Sequence, residues 1–409
     1  MGRLKPDSRA AVGVFMPFYS PTRGGPDVTA MWLVQSLCCT YSVTLVTTRQ
    51  FDLRFFNQFA GTSLTHGDFR ICHLPSLPCF PNAPMSALQG PLFQRFARRC
   101  AASFDLCINA MNCLDFGVPG VQFLADLGWL STLAAKGTPA TSARCPSNSR
   151  PTHLRRLYHL LCRNLYARSR RNQMHEDLLV SNSEWIAAAI RSAFTIDSPT
   201  IYPPVPALGS VDDLPWEGRR HDFVWIGRIA PSKRLESAIS IVGRLRAAGL
   251  GCKLHIVGKA TDKNYEAHVR QIARSRGEWT ILEGPMYGTE KAQFLARFRY
   301  ALHTRADEPF GITLAELIKS GCVVFGPNSG GSAEILSHDG LLFGTEEEAA
   351  GKILRAVAEP RRIETLRRHL EDRAKCFSTD RFCSSVQRLV AEFLVEKAHR
   401  TPTAQPNLI

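Results

Sequence analysis

The sequence predicts an α/β protein made of two Rossmann-like, doubly wound domains that face one another across a cleft. Three observations predict it. Short apolar runs alternate with helix-forming stretches in both halves. The alternation restarts after IYPPVP at 201–206, whose prolines mark a stiff joint. Each half also opens with a strand running into a loop that enters a helix, the arrangement that puts ligands at the carboxyl edge of a parallel sheet.

In chain order, the first half reads as a strand at 11–17, a loop with Gly24 and Gly25, a helix over about 27–38 capped by Asp27, and a strand at 43–48. Residues 106–109 and 120–124 are further short strands, and 131–151 is a Ser/Thr/Pro/Ala-rich loop. A helix at 152–171 places Leu154, Leu157, Leu161 and Leu165 on one face and Arg156, Arg163 and Arg170 on another. The segment SNSEWIAAAIR opens a capped helix at Asn182 or Ser183, and the prolines close a first domain at 1–206. The second domain, 207–378, carries strands at 223–227, 253–258, 279–284, 300–304 and 322–326. Helices at 235–248, 264–275, 289–298 and 312–320 separate them. A last helix, 379–399, could return to the first domain.

Composition narrows the class. A chain of 409 residues, 44% hydrophobic and 21% charged, can bury two or three full cores and reads as soluble and globular. Thirteen cysteines, with no CxxC pair and no metal-like Cys/His spacing, predict neither a disulfide framework nor a zinc site and fit a reducing cytoplasm. The apolar stretch at 10–18 is short and broken by Pro17, so it reads as a strand and not a leader; no run approaches the ~18 apolar residues of a spanning helix. The formal charge of +14 favours an anionic partner. Between Asp126 and Glu176 there is no acid, while nine Lys and Arg residues fall there, which predicts a local basic surface. No aromatic-basic reading motif accompanies it, so nucleic acid is not expected.

Three loops of the second domain carry the chemistry. GRIAPSKR places Arg228 and Lys233 after the first strand, where a fork-like guanidinium and a point charge suit a diphosphate; two solvated cations would read the same way. HTRADEPFGITLAE supplies Glu308, Glu316 and the backbone amides of Phe310, Gly311 and Ile312 at a helix start. GPNSGGSAEI supplies a turn, Asn328, Ser329, Gly330 and Gly331, whose backbone can approach a ligand closely. The helix macrodipole alone accommodates Glu316 but leaves Glu308 without a structural task. A carboxylate accepts paired hydrogen bonds, so two acids along one ligand suit vicinal hydroxyls of a sugar and a ribose with phosphates between them. His255 and His303 read as packed or hydrogen-bonded, His303 adjoining the site. No HExxH, GxSxG or P-loop is present.

These residues carry a resemblance. GRIAPSKR, EPFGITLAE and NSGGSAEI resemble the family 4 retaining glycosyltransferases, two-domain GT-B enzymes that use a nucleotide-diphosphate sugar. The likeness is strong over 220–345 and weaker before it. SNSEWIAAAI, IYPP and HTRADEPFGI resemble the branch of α-1,2-mannosyltransferases acting on dolichol-linked oligosaccharides. The resemblance implies Glu308 on the donor sugar, Glu316 on the ribose, and Arg228 and Lys233 on the diphosphate. It implies Phe310 to Ile312 on sugar and phosphate through their backbone, with Gly24 and Gly25 near the phosphate from the other domain. Where many relatives have a His in a strand-end segment resembling QYIHFP, this chain has QFLADL, giving Ala125 and Asp126. Either Asp126 takes over that contact to sugar or acceptor or the contact is absent.

The expectation is a cytoplasmic hexosyltransferase, peripheral on a membrane, that needs neither metal nor other cofactor. It would use a nucleotide sugar, with mannose from GDP-mannose implied by resemblance, and act on a glycan or lipid-linked acceptor. A non-catalytic nucleotide-sugar-binding subunit of a glycan-assembly complex is the alternative; a GT-B epimerase or phosphorylase is a third reading.

Overall fold

The computed structural model describes residues 9–17, 24–48, 52–74, 86–128, 176–206 and 214–400. The Ser/Thr/Pro/Ala-rich loop at 131–151 and the leucine and arginine stripes at 152–171 lie outside them. The first sheet holds β1 (Ala11–Met16), β2 (Ser42–Thr47), β3 (Arg70–His73), β4 (Leu106–Asn109), β5 (Val121–Leu124) and β6 (Leu178–Ser181). The second holds β7 (Arg220–Ile226), β8 (Leu254–Val257), β9 (Thr280–Gly284), β10 (Phe298–Leu302), β11 (Val323–Pro327) and β12 (Leu342–Phe343).

Helices α1 (Gly25–Leu37), α2 (Leu53–Ala60), α3 (Ser86–Ala101) and α4 (Glu184–Phe194) flank the first sheet. The second is flanked by α5 (Leu235–Ala247), α6 (Lys263–Arg276), α7 (Gly288–Leu295), α8 (Ile312–Lys319), α9 (Gly330–Leu336), α10 (Glu346–Ala358) and α11 (Pro360–Lys375). A last helix, α12 (Thr379–Arg400), follows.

All the pairings are parallel, and the strand orders are β3-β2-β1-β4-β5-β6 and β12-β11-β10-β7-β8-β9. Both sheets therefore wind the same way and reverse direction between their first and fourth strands, β1/β4 and β7/β10. Helices on both faces bury the central strands twice over, which is why β1, β4, β8 and β11 read as nearly unbroken apolar runs. β1, β7 and β10 end at these reversals, where such folds open a crevice.

The start of α1 differs from expectation. Gly24 is the N-cap, and Asp27 sits at the third helical position, reaching back to accept a hydrogen bond from the Gly24 N–H at 2.7 Å. Pro26 explains the earlier start, because its fixed φ fits the first turn and it has no N–H to satisfy.

The two halves are joined by specific contacts. Tyr202, from the proline joint, stacks on Phe310 at 5.8 Å and meets Phe377 edge-on at 5.3 Å. The Ser183 hydroxyl caps α4 and donates to the Pro309 carbonyl at 2.6 Å. The Glu334 carboxylate, from α9, accepts the N–H groups of Glu184 and Trp185 at 3.0 and 3.2 Å. Helix α12 packs on α1, placing Phe382, Val386, Leu389 and Val390 in the core of the first domain. Gln387 donates to the Ser36 carbonyl at 2.8 Å and Lys397 to that of Asp105 at 2.7 Å. Among the described residues no helix is long and apolar enough to cross a membrane.

Because Phe382 is 2% exposed and packs against Phe123, Phe382→Ala should destabilise the first domain by about 3 kcal/mol in denaturant titration. A loss under about 0.5 kcal/mol would mean that α12 is not docked there.

Candidate active site

Strand β7 ends at Ile226, and the chain then makes a single tight turn over Pro231–Lys233 before α5. Arg228, between the strand end and this turn, is exposed, while Lys233 has a side chain only 12% exposed. The turn is pinned to the loop after β10: Trp225 Nε1 donates to Thr304 Oγ1 at 3.1 Å, and that hydroxyl donates to the Lys233 carbonyl at 2.8 Å.

Beyond Thr304 the chain delivers Glu308 into a group of bases. Lys233 Nζ lies 2.5 Å from Glu308 Oε2, Arg305 Nη1 lies 3.1 Å from Oε1, and His303 Nε2 lies 3.6 Å from Oε2. Burial pushes the Glu308 carboxyl up, but Lys233, His303 and Arg305 outweigh it and hold the pKa below the usual glutamate value. Lys233 is likewise lowered from its own ordinary value. Burial drives it down, Glu308 opposes, and the charges of Arg305 and Arg228 add to the fall. Burial also drives His303 down, to about 4, with Lys233 and Arg305 adding and Glu308 opposing, so its imidazole is neutral at pH 7.

The glycine turn after β11 has a tighter assignment than ligand approach. A Cβ on Gly330, whose φ is +61°, would sit 2.7 Å from the Glu308 carbonyl; one on Gly331 would sit 2.6 Å from Phe310 Cα. The Gly331 N–H donates to that same Glu308 carbonyl at 2.6 Å. The turn thus cradles the 307–310 loop, and the exposed part of the turn is Asn328. Asn328's own N–H is spent on the Phe343 carbonyl.

Phe310 is 2% exposed, its ring taken up by Tyr202 and Phe377, which leaves only its backbone to a ligand. Gly311 turns at φ +107° and starts α8. A Cβ on Gly25 would come within 2.9 Å of Ile312 Cδ1. The Gly24–Gly25 start of α1 and the Phe310–Ile312 start of α8 therefore meet, one from each domain. Two helix N-termini at one gap favour an anion there.

Glu316, on α8, is 8% exposed and bonds Lys291 Nζ at 2.7 Å. Asp126, at the end of β5, is occupied locally: it accepts from the Gly128 N–H at 2.7 Å and lies 3.4 Å from the Asn112 amide. Asn112 also accepts from the N–H groups of Ala125 and Asp126, so it sets the strand end. His255 is a packed residue, bonded to Glu283 at 2.7 Å and 3.5 Å from Asp222.

Sequence reasoning did not single out Arg305, Lys291 or Asn112. Arg305 was legible in principle, three residues before Glu308 in the same loop; Lys291 and Asn112 have no local signal.

The His303 environment makes a pH prediction. Its folded value lies below its ordinary 6.5, so the unfolded chain takes up the proton first, and the stability involved is full above pH 6.5 and lost as pH falls toward 4. His221 and His338 also shift down and add to the slope. Subtracting the stability–pH curve of His303→Gln from that of the parent should leave a difference that grows between pH 6.5 and 4. Parallel curves would contradict the buried, neutral imidazole.

A family model for "Glycosyl transferases group 1" matches residues 211–376. Curated GDP-Man:Man(3)GlcNAc(2)-PP-Dol alpha-1,2-mannosyltransferases are similar to this chain. The Mus musculus protein is 27% identical over 186 residues, 41% of this chain and 38% of that protein. The Dictyostelium discoideum protein is 27% identical over 230 residues, 51% and 45% respectively. The chain thus spans less than half the length of these relatives. Among solved structures, Anabaena HepE in complex with UDP and glucose superposes with a TM-score of 0.64 at 16% identity, covering 94% of this chain and 99% of that one. Sucrose-phosphate synthase from Thermosynechococcus elongatus superposes at 0.67 and 15%, covering 95% and 100%. These likenesses show the fold, and with the family match they establish that the chain carries a group 1 glycosyl transferase domain at 211–376 within a two-domain GT-B architecture.

Proposed function

We propose that this chain is a retaining hexosyltransferase that moves mannose from GDP-mannose, a nucleotide-diphosphate sugar, to a glycan or lipid-linked acceptor. The observation that carries the reading is Glu308: a buried, ionised carboxylate ringed by Lys233, Arg305 and His303 beside the meeting point of two helix N-termini. The printed names of the mannosyltransferase relatives support the donor and acceptor classes.

In this reading the diphosphate lies at the gap between Gly24–Gly25 and the backbone of Phe310, Gly311 and Ile312, with the Asn328–Gly331 turn alongside. Arg228 and Lys233 neutralise the charge that grows on the leaving diphosphate, a task a metal ion performs in other enzymes, so we propose catalysis without metal or other cofactor. Glu308 accepts hydrogen bonds from the sugar hydroxyls and Glu316 from the ribose. Lys233 and Lys291, which pair with these acids, are then partly released to the ligand. Asp126 borders the acceptor side. Retention follows from the family resemblance, with the acceptor attacking on the face the diphosphate leaves.

A lipid-linked acceptor would be met on a cytoplasmic membrane surface, where we place the protein as a peripheral one. The acid-free basic block between Asp126 and Glu176 supports that placement, each basic residue being worth roughly 1 kcal/mol near anionic lipid.

Glu308→Gln should depress turnover while nucleotide affinity changes little, whereas Glu316→Ala should weaken GDP binding in calorimetry. Arg228→Ala and Lys233→Ala should each lower kcat/KM at least tenfold, roughly the 1.5–3 kcal/mol of a charge-assisted hydrogen bond. EDTA should leave the rate unchanged; activity lost to EDTA and restored by magnesium or manganese would overturn the metal-free proposal. In liposome sedimentation, binding should require anionic lipid, weaken with salt and fall when Arg156, Arg163 and Arg170 become Gln. Protein left in the supernatant at low salt with anionic vesicles would rule out the membrane placement.

A further inference from the structure

His303 is a buried group without an assigned task. Its side chain is 4% exposed, and Nε2 has no hydrogen-bond partner. That nitrogen faces Glu308 Oε2 at 3.6 Å, only a few tenths of an ångström beyond hydrogen-bond reach of roughly 3.2 Å. Its backbone is fixed, the N–H donating to the Phe325 carbonyl at 2.9 Å, so the ring is held at the end of β10.

The charged groups facing His303 are Glu308, Lys233 and Arg305. Lys233 donates to Glu308 Oε2 and Arg305 to Oε1. A diphosphate competes for the Lys233 ammonium. Drawing it away would leave a buried carboxylate short of a donor, which is strongly unfavourable.

We infer that His303 is a positioning residue: its Nε2–H donates to Glu308 when Lys233 turns to the diphosphate, and so keeps the carboxylate aimed at the donor sugar. This rests on the proposed donor site. A neutral imidazole suits the task because it offers a donor without a second positive charge beside Lys233 and Arg305. The adjacent carboxylate favours the tautomer with the proton on Nε2. With Nε2 unpartnered and 3.6 Å from Oε2, a shift of a few tenths of an ångström completes the bond.

The test compares His303→Leu, close in volume and lacking a donor, with His303→Gln, which keeps one, by steady-state hydrolysis of GDP-mannose to GDP and mannose, with water as the acceptor. His303→Leu should lose at least tenfold in kcat, about 1.4 kcal/mol in the barrier, with less than a threefold change in KM or in GDP affinity. His303→Gln should recover most of kcat. Should both variants fail to fold, the parent protein labelled with 15N-histidine still decides: saturating GDP should shift the His303 Nε2–H resonance as its bond to Glu308 forms. Unchanged kcat in His303→Leu, no recovery in His303→Gln, or an unmoved resonance overturns the inference and leaves the donor-site reading standing. If the parent releases no nucleotide from GDP-mannose or other nucleotide sugars, the donor-site reading fails and this inference with it.

Discussion

A carboxylate whose side chain keeps only 10% of its surface in water cannot remain ionised unless other groups replace its solvent, and Glu308 is such a group. Lys233 reaches it from the loop after β7 and Arg305 from the segment after β10, where His303 stands 3.6 Å away. Each gains from the others. The carboxylate offsets the crowding of cations at a buried position, and the cations hold it ionised against burial. Much of the nearby architecture serves to bring these groups together: the Trp225–Thr304–Lys233 hydrogen-bond chain, the left-handed Asp307, and glycines at 330 and 331 that let the β11 turn close on the loop.

Topology supplies the setting. Two sheets with the same strand order each reverse at the first and fourth strands, so their polar loops leave from equivalent places. Gly25 against Ile312 then brings the start of α1 to the start of α8. The same convergence is fastened behind the site by Tyr202 on Phe310, Ser183 on Pro309 and Glu334 on the N-terminus of α4. The first two of these joints are made by the loop that carries Glu308, so domain placement and site geometry are coupled.

Much of this was legible in the sequence where one physical signal dominates. The doubly buried strands β1, β4, β8, β10 and β11 announce themselves as apolar runs, and Ser183 as a helix cap. β3 escaped notice because RICH is half exposed and short; α10 and α11 did so because their apolar residues are sparse among charges. The cap of α1 was misplaced by three residues, Asp27 for Gly24, since the rule for caps favours an acid over the glycine that Pro26 selects. In the site, the acids and the Arg228–Lys233 pair stood out as charges in turns. Lys291 could not, because it meets Glu316 only when α7 is packed against α8, and the Gly330–Gly331 turn looked free until the 307–310 loop filled its space.

The mutual dependence of Glu308 and Lys233 can be measured without any ligand. A double-mutant cycle on folding stability, with Lys233→Met, Glu308→Gln and the pair, isolates their interaction from the loss of each side chain. If the carboxylate is held ionised by the cations around it, Lys233→Met alone should be markedly destabilising, and adding Glu308→Gln should restore part of the loss, with a coupling of at least about 1 kcal/mol. Effects that simply add, to within roughly 0.3 kcal/mol, would contradict the account.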